Sequence, residues 1–250
     1  MKIVACIKRV PTTEAQVKVS ADQKGLDTAG LSWMTSFYDE LAVEEAIRSK
    51  EKHGGDVTVL TLGPSEASKD VREFLARGAD AGVILKDDQW HARDARATAK
   101  ILCARIQKAG AELVFLGKLA TDRDNGAVGP MIATMLGWAC VTDVVALELN
   151  GTQGSAKRET EQGIETVAFA LPAVITCQKG LNEPRRANLK GIMAVKAKAI
   201  PEESFEDVPN QQQVQKVEPP PARKAGRIVG EGAAAVQALV DALRNEAGVI

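Results

Sequence analysis

The chain has few of the residues on which catalytic and metal sites depend. It contains only two histidines, His53 and His91, so a metal site or a catalytic triad built on imidazole has little material. Its four cysteines lie far apart with no C-x-x-C pair, and each falls in an apolar stretch. This pattern predicts buried free thiols. We therefore expect no metal site, and a hydrolase is disfavoured.

Strong charge and long apolar runs are also missing. The formal net charge is −1 over 250 residues, so the chain has no broad electrostatic reason to bind nucleic acid or an anionic membrane. No apolar run approaches the roughly 18 residues of a membrane span, and residues 1–6 predict a first strand, with no secretory signal. With 45% apolar and 26% charged residues, the composition is that of a globular protein.

The first half alternates strand-like and helix-like segments. Such alternation predicts an α/β fold with an open, mostly parallel sheet and flanking helices, flavodoxin-like or Rossmann-like. The predicted strands are 2–7, 57–62, 81–85 and 112–116, and the predicted helices are 39–52, 65–77, 92–109 and 128–136.

The second half does not continue the alternation of strand-like and helix-like segments. Residues 141–149 and 165–178 predict strands of an antiparallel region with a turn at Asn150-Gly151. Residues 201–223 are rich in proline and glutamine, which predicts an extended arm, and 233–247 predict a terminal helix. We expect an α/β nucleotide-binding domain over 1–200 and, over 201–250, an arm and helix that dock on a partner subunit.

The turns at the carboxyl ends of the strands are the candidate ligand site, since open parallel sheets bind ligands there. The loop 117–130 brings small residues and free N–H groups to a helix N-terminus, which suits a phosphate. The same glycines could equally serve tight turns and close packing. Neither G-x-G-x-x-G nor a P-loop is present, and nothing resembles a nucleophile with its base.

A second candidate region runs from the strand at Leu171 into a basic loop. Leu189, Ile192 and Met193 stand beside Arg185, Arg186 and Lys190, which is the composition of an apolar anchor with a charged rim. An ordinary surface connection with tucked-in apolar residues is the alternative, and the residues alone do not separate the two.

The motifs together resemble the β subunit of electron transfer flavoproteins over essentially the whole length. The most specific block combines Leu171-Pro172-Ala173-Val174 with Leu181-Asn182-Glu183-Pro184-Arg185 and Ile192-Met193. The other matches are 4–10, 39–46, Gly78-Ala79-Asp80, 117–129 and Leu136-Gly137-Trp138.

The resemblance implies a non-catalytic electron-carrying subunit in a heterodimer with an α subunit that holds the redox FAD. Electrons would come from acyl-CoA dehydrogenases and related flavoenzymes and leave to a membrane quinone oxidoreductase, in the cytoplasm of a bacterium or in the mitochondrial matrix. A recognition loop at about 179–198 would dock the dehydrogenase with Leu189 as its anchor. Glu159 would meet the mobile flavin domain of the α subunit.

The resemblance also implies an α/β fold of the adenine-nucleotide-hydrolase-like or Rossmann-like class, with a structural AMP in this subunit. The positions that match its binding site are Cys6, Ser36, Phe37, Tyr38, Asp39, Leu62, Gly117, Lys118, Thr121, Asp122, Arg123, Asp124, Asn125, Gly126, Ala127, Val128 and Gly129. The partner-docking positions are Glu159, Arg185, Leu189, Ile192 and Met193.

Two alternatives to this interpretation remain. The first is the electron-bifurcating branch of the family, in which a second FAD replaces AMP and electrons come from NADH. Val128-Gly129-Pro130 resembles that branch. In addition, Ser36-Phe37 stands where many relatives carry Asn-Pro. The other alternative is a stand-alone nucleotide-binding module. The core-poor arm with its terminal helix argues against that module because it needs a partner surface.

Overall fold

Apolar, β-branched runs form the strands of a nine-stranded sheet. The structure is a computed structural model that describes residues 1–222 and 225–250. The described residues contain thirteen strands: β1 (Lys2–Ile7), β2 (Arg9–Pro11), β3 (Lys18–Val19), β4 (Leu26–Asp27), β5 (Trp33–Thr35), β6 (Asp56–Gly63), β7 (Ala81–Lys86), β8 (Leu113–Gly117), β9 (Ala139–Asn150), β10 (Gln153–Thr160), β11 (Gly163–Ala170), β12 (Ala173–Cys177) and β13 (Glu202–Glu203). β2 pairs with β5 and β3 with β4 in two separate two-stranded sheets, and the other nine strands form the large sheet.

Helices cover the two faces of this sheet. They are α1 (Phe37–His53), α2 (Ser68–Arg77), α3 (Ala95–Ala109), α4 (Val128–Leu136) and α5 (Leu189–Val195). A further helix, α6 (Val236–Ala242), lies near the end of the chain and does not belong to this layer. Buried residues of α1 and α2 form one apolar core against the sheet. Buried residues of α3 and α4 form a second core on the opposite face.

The strand order is β11-β10-β9-β12-β8-β1-β6-β7-β13. The pairs from β9 through β13 are parallel, whereas β10 and β11 extend the sheet as an antiparallel meander. The chain proceeds from β1 to β6 and β7 on one side and then crosses to β8 on the other. A crevice at the carboxyl ends of β1 and β8 follows from this reversal.

The predicted fold class is confirmed. β1 and α4 have the predicted bounds, and the bounds of the other predicted elements of the first half differ by a few residues. The short strands β2, β3, β4 and β5 were not predicted. The largest differences are at α2 and α3, which each begin three residues later than predicted. α2 follows a short 3-10 turn at Ser65–Ala67, and α3 begins at Ala95 because Asp94 caps it by accepting a hydrogen bond from the N–H of Ala97 at 2.7 Å.

The antiparallel region contains two differences from the predicted strands. Residues 153–160 form β10, which the sequence did not indicate because Ala156 is its one fully buried residue. The run predicted as one strand over 165–178 is divided into β11 and β12 at Leu171–Pro172. The division turns the chain from the antiparallel meander back into the parallel sheet.

The expectation of four buried thiols is wrong for Cys140. Cys6, Cys103 and Cys177 are buried, whereas Cys140 on β9 is exposed. Side chains alternate along a strand, so the neighbouring Val141 enters the core and Cys140 points to the other face.

The chain divides into two compact units, Met1–Lys216 and Val217–Ile250, so the first unit ends later than the predicted boundary at 200. Residues 201–216 belong to the α/β unit: β13 pairs with β7, Val208 is buried, and the Asp94 carboxylate accepts the N–H groups of Gln211 and Gln212. The second unit contains α6, on which Val236 and Leu239 are exposed. None of the described helices has the length and apolar character needed to cross a membrane.

Candidate functional site

A cleft opens where β1 and β8 end, with about 840 Å³ of empty space that is partly open to solvent. Its apolar wall includes Leu62, Trp90 and Leu102. Four cationic side chains also line it: Lys8, Arg93, Lys118 and Arg123. A concave, largely apolar space with a few convergent polar groups is the usual form of a small-ligand site.

The Asp39 carboxyl group joins the two strand ends that form the cleft floor. It lies in the first turn of α1 and is only 6% exposed. One oxygen accepts the N–H of Lys8 at 2.8 Å, and the other accepts the N–H of Gly117 at 2.9 Å. Burial raises the pKa of Asp39 to about 7, although these two N–H groups and the Lys8 charge act in the opposite direction.

Gly117 is required by the close approach of α1 to β8. A Cβ at this position would lie 2.6 Å from Asp39 Oδ1 and 2.6 Å from Tyr38 Cβ. Both distances are far below van der Waals contact, so a larger residue would push α1 away from the end of β8.

The loop between β8 and α4 is tied to the rest of the cleft at three points. Lys8 Nζ pairs with the Asp122 carboxylate at 2.7 Å, and Ser36 Oγ accepts the N–H of Thr121 at 3.3 Å. The guanidinium of Arg123 donates to the carbonyls of Arg93, at 3.0 Å, and His91. Burial lowers the pKa of Lys8, with the attraction of Asp122 acting against it. The loop therefore has a defined position.

The N-terminus of α4 supplies unsatisfied donors at one edge of the cleft. Ala127 precedes the helix and makes no side-chain cap, so the N–H groups of Val128 and Gly129 lack a capping side chain. Gly129 is itself needed for packing, since a Cβ there would lie 2.6 Å from Thr176 Cγ2. Lys8 is paired with Asp122, and Arg93 is paired with Asp87 and Asp207. The helix end and the positive charges of Lys118 and Arg123 therefore make the cleft suited to an anion.

A second feature is the short helix α5, on the face of the sheet covered by α1 and α2. Val195 is buried, while Leu189 is 76% and Met193 63% exposed, with Ile192 beside them also exposed. Large apolar side chains clustered at this level of exposure are typical of an interaction surface.

Comparisons with known proteins identify the family of the chain. Residues 25–208 match the model of the electron transfer flavoprotein domain. The chain is 39% identical over 257 residues to the mitochondrial electron transfer flavoprotein subunit beta of Oryza sativa subsp. japonica, and 35% identical over 261 residues to the subunit beta of Bacillus subtilis (strain 168), with 100% of each chain covered.

The chain belongs to the electron transfer flavoprotein family, as a β subunit. Its role is therefore electron transfer in a flavoprotein, and a β subunit implies an α subunit as its partner. The predicted family membership is confirmed.

The structure brings most of the predicted nucleotide residues of this β subunit to the cleft. Those on its wall are Cys6, Asp39, Leu62, Gly117, Lys118, Arg123, Asn125, Gly126, Val128 and Gly129. The other seven do not line it: Ser36, Phe37, Tyr38, Thr121, Asp122, Asp124 and Ala127. Ser36 and Asp122 hold the loop, and Tyr38 lies under the Lys118 ammonium, whose Nζ is 5.3 Å from the ring centre. Direct nucleotide contact stays a prediction for all of them.

Sequence reasoning missed one wall of the cleft, which the connection from β7 to α3 provides. Trp90, Arg93, Ala95 and Thr98 lie on this wall. The available signal was positional: β7 is parallel to β6, so the chain that follows it leaves the sheet at the same edge as the other turns.

Two predicted partner-docking residues have contacts within the chain. The Arg185 guanidinium pairs with Glu44 at 3.0 Å and Glu51 at 2.5 Å, so it holds its loop on α1. The exposed Glu159 on β10 accepts a hydrogen bond from Gln178 Nε2 at 3.1 Å. A role of either residue toward a partner stays a prediction.

Replacing Asp39 by asparagine should destabilise the full chain in a pH-dependent way. The amide places a donor opposite one of the two N–H groups, which we expect to cost about 1–3 kcal/mol of unfolding free energy. The pKa of Asp39 in the folded chain lies above that of an aspartate in the unfolded chain. The stability that the wild-type carboxyl group contributes is therefore fully present below about pH 4 and is lost as the pH rises through about 7.

The free energy of unfolding of the wild type and of Asp39→Asn is measured by urea denaturation at several pH values. The difference between the two free energies should become smaller from pH 5 to pH 8. Asp88→Asn, at an exposed position after β7, is the matched control and should behave like the wild type. A difference that stays constant with pH would contradict the raised pKa of Asp39.

Proposed function

We propose that this β subunit binds AMP as a structural ligand in the cleft between β1 and β8. The observation that carries the proposal is the combination of the uncapped N-terminus of α4 with the positive charges of Lys118 and Arg123 on the wall. The phosphate would lie at the N–H groups of Val128 and Gly129. The adenosine part would lie against the apolar wall at Leu62 and Leu102.

A bound AMP would contribute stability and no redox chemistry. A ligand that binds only the folded chain stabilises it in proportion to the logarithm of ligand concentration over Kd. The residues of this chain would orient the nucleotide: Asp39 fixes the two strand ends, and the Lys8–Asp122 pair fixes the loop. We propose that the chain itself supplies no bond-breaking catalytic group.

AMP should raise the thermal unfolding midpoint of nucleotide-free chain, refolded from urea, far more than adenosine does. Adenosine has the same base and sugar but no phosphate, so it is the matched control ligand. At a hundredfold excess over Kd, AMP should add about 3 kcal/mol of unfolding free energy. Equal shifts with the two ligands would show that no phosphate lies at the N-terminus of α4.

We propose further that the segment 179–198 docks electron-donating flavoenzymes of the acyl-CoA dehydrogenase type, with Leu189 as the anchor. Leu189, Ile192 and Met193 are exposed together on α5, with Arg186 and Lys190 beside them in sequence. An apolar centre with a polar rim is the usual anatomy of a protein interface. Accepted electrons would pass through the FAD of the α subunit to a quinone oxidoreductase of the membrane.

Leu189→Ala should slow electron transfer from a reduced acyl-CoA dehydrogenase to the heterodimer about tenfold, because central apolar anchors carry much of the binding energy. The assay follows reduction of the heterodimer flavin while donor concentration is varied. Met135→Ala, which truncates an exposed apolar residue on α4 at the opposite face of the sheet, is the control. An unchanged rate for Leu189→Ala would contradict the anchor role.

We propose that Glu159 pairs with a cationic group on the flavin domain of the α subunit. Its carboxylate is exposed, and its hydrogen bond from Gln178 Nε2 places it next to the start of the docking segment. A contact at this place would let the flavin domain and the electron donor meet at neighbouring surfaces of this subunit.

Glu159→Ala should lower the transfer rate and its dependence on ionic strength, with FAD content and heterodimer assembly unchanged. Loss of an ion pair reduces the part of the attraction that salt screens. Glu161→Ala, in the adjacent exposed turn, is the charge-matched control. Loss of assembly in Glu159→Ala would show that the carboxylate has a structural role instead.

The C-terminal unit is the proposed attachment to the α subunit. Val236 and Leu239 on α6 are exposed, as are Val249 and Ile250 after it. Covering them with a partner surface would remove apolar area from water. The proposed setting is the bacterial cytoplasm or the mitochondrial matrix.

A further inference from the structure

The helix α5 is too short to be stable by itself. It has seven residues, and Gly191 lies within it. Isolated helices of this length do not persist in water, and an internal glycine weakens them further. The exposed side chains of Leu189 and Met193 contribute little packing within the subunit. Contacts from elsewhere in the subunit must therefore hold α5 in its helical form.

The N-terminal half of α5 is fixed by its cap and by direct contact with α2. The Asn188 side chain accepts the N–H of Gly191 at 2.8 Å. A Cβ on Gly191 would lie 2.3 Å from the carbonyl oxygen of Ala76, so the backbone of α5 packs against the end of α2. Gly191 thus weakens the isolated helix but permits this close approach.

The C-terminal end of α5 is held by Arg72, which projects from α2. Its Nη1 donates to the carbonyls of Val195 at 2.6 Å, Lys198 at 2.9 Å and Lys196 at 3.3 Å. The last turn of α5 contains no basic residue of its own. The carbonyl of Val195 also accepts the N–H of Lys198 at 3.1 Å, so the guanidinium adds a charged donor to the last carbonyl of α5 and to two carbonyls just beyond it. Its charge also complements the negative end of the helix dipole.

The chain leading into α5 is fixed by α1. Glu44 is only 3% exposed, and it binds the Arg185 guanidinium and the N–H of Arg185. Burial alone would raise the pKa of Glu44, but the hydrogen bonds from Arg185 and Arg48 hold it below its ordinary value. Asn182 donates to the carbonyl of Leu41 at 3.0 Å. With the entry to α5 already fixed, Arg72 and the buried side chain of Val195 hold its other end.

We propose that Arg72 is a positioning residue for electron-donor docking: it keeps α5 folded and holds its apolar side chains ready for the partner. The proposal rests on the proposed docking function of segment 179–198. A helix that is already formed before the encounter does not lose the entropy of ordering when the partner binds, so preorganisation increases affinity. Arg72 acts through α5 and needs no contact with the partner.

The test compares heterodimers that carry Arg72→Met, Arg72→Lys or the control Arg96→Met. Methionine keeps much of the length of the arginine side chain without its donors, whereas lysine keeps the charge with a different donor geometry. Arg96 is exposed on α3, at the opposite face of the sheet, so its loss controls for net charge. The FAD content of each heterodimer is measured first and should equal that of the wild type.

Two measurements follow. In Arg72→Met, amide hydrogen exchange at residues 192–198 should become about tenfold faster, as expected for the loss of charge-assisted hydrogen bonds. With an acyl-CoA dehydrogenase from which the wild-type heterodimer accepts electrons, the KM for the heterodimer should rise about tenfold with kcat unchanged. Arg72→Lys should give intermediate values, and Arg96→Met should match the wild type.

The failures of the two proposals are distinguishable. Unchanged exchange in Arg72→Met would overturn the positioning role. Faster exchange with an unchanged KM would overturn its link to docking, provided that Leu189→Ala impairs transfer. An unchanged rate of electron transfer in Leu189→Ala would instead overturn the proposed docking function itself, together with the part of this proposal that depends on it. Equal changes in KM and in amide hydrogen exchange for Arg72→Met and Arg96→Met would show that Arg72 acts only through the net charge of the subunit. That result would overturn the proposal.

Discussion

The buried carboxyl group of Asp39 is the contact on which the cleft depends. It binds the N–H groups of Lys8 and Gly117, which follow or end two neighbouring parallel strands, and it does so from the first turn of the helix that packs on both. Burying a carboxyl group is costly unless hydrogen bonds replace its water. Each oxygen of the Asp39 carboxyl group accepts a hydrogen bond from one backbone N–H. These two hydrogen bonds offset the loss of hydration and also set the distance between the turns at Lys8 and Gly117.

The same helix connects the cleft with the docking segment. α1 begins at Phe37, beside the cleft, and runs to His53 without interruption. Farther along it, the carbonyl of Leu41 and the carboxylates of Glu44 and Glu51 hold Asn182 and Arg185. A continuous helix with buried contacts along its length transmits position with little deformation. The proposed nucleotide site and the proposed docking segment are thus both built on α1.

The parallel half of the fold was predictable because its signals are local and redundant. β1 combines a β-branched run with burial on both faces, and α4 lies between a polar loop and Gly137. β10 and α5 were not predictable in this way. β10 is a mostly polar strand that pairs with β9 and β11, and the carbonyl at the end of α5 accepts a hydrogen bond from Arg72, which lies far from it in the sequence.

The candidate site was predictable in part for a similar reason. The loop from Gly117 to Gly129 has a composition that suggests its role, and most of it lies on the cleft wall. Trp90 and Arg93 lie on the same cleft only because of the order of the strands in the sheet. The ion pair between Arg185 and Glu44 joins residues that are far apart in the sequence, so the sequence does not indicate it. Residue type indicated the chemistry in these cases, whereas the partner of each residue was decided by tertiary structure.

The central claim is that this subunit holds one AMP while the redox flavin belongs to its partner. The most direct measurement is to copurify the chain with its α subunit, denature the complex, and quantify AMP and FAD in the supernatant by chromatography. The account predicts one AMP and one FAD per heterodimer. Two FAD and no AMP would contradict it, because a flavin would then occupy the cleft of this subunit and make it part of an electron-bifurcating system.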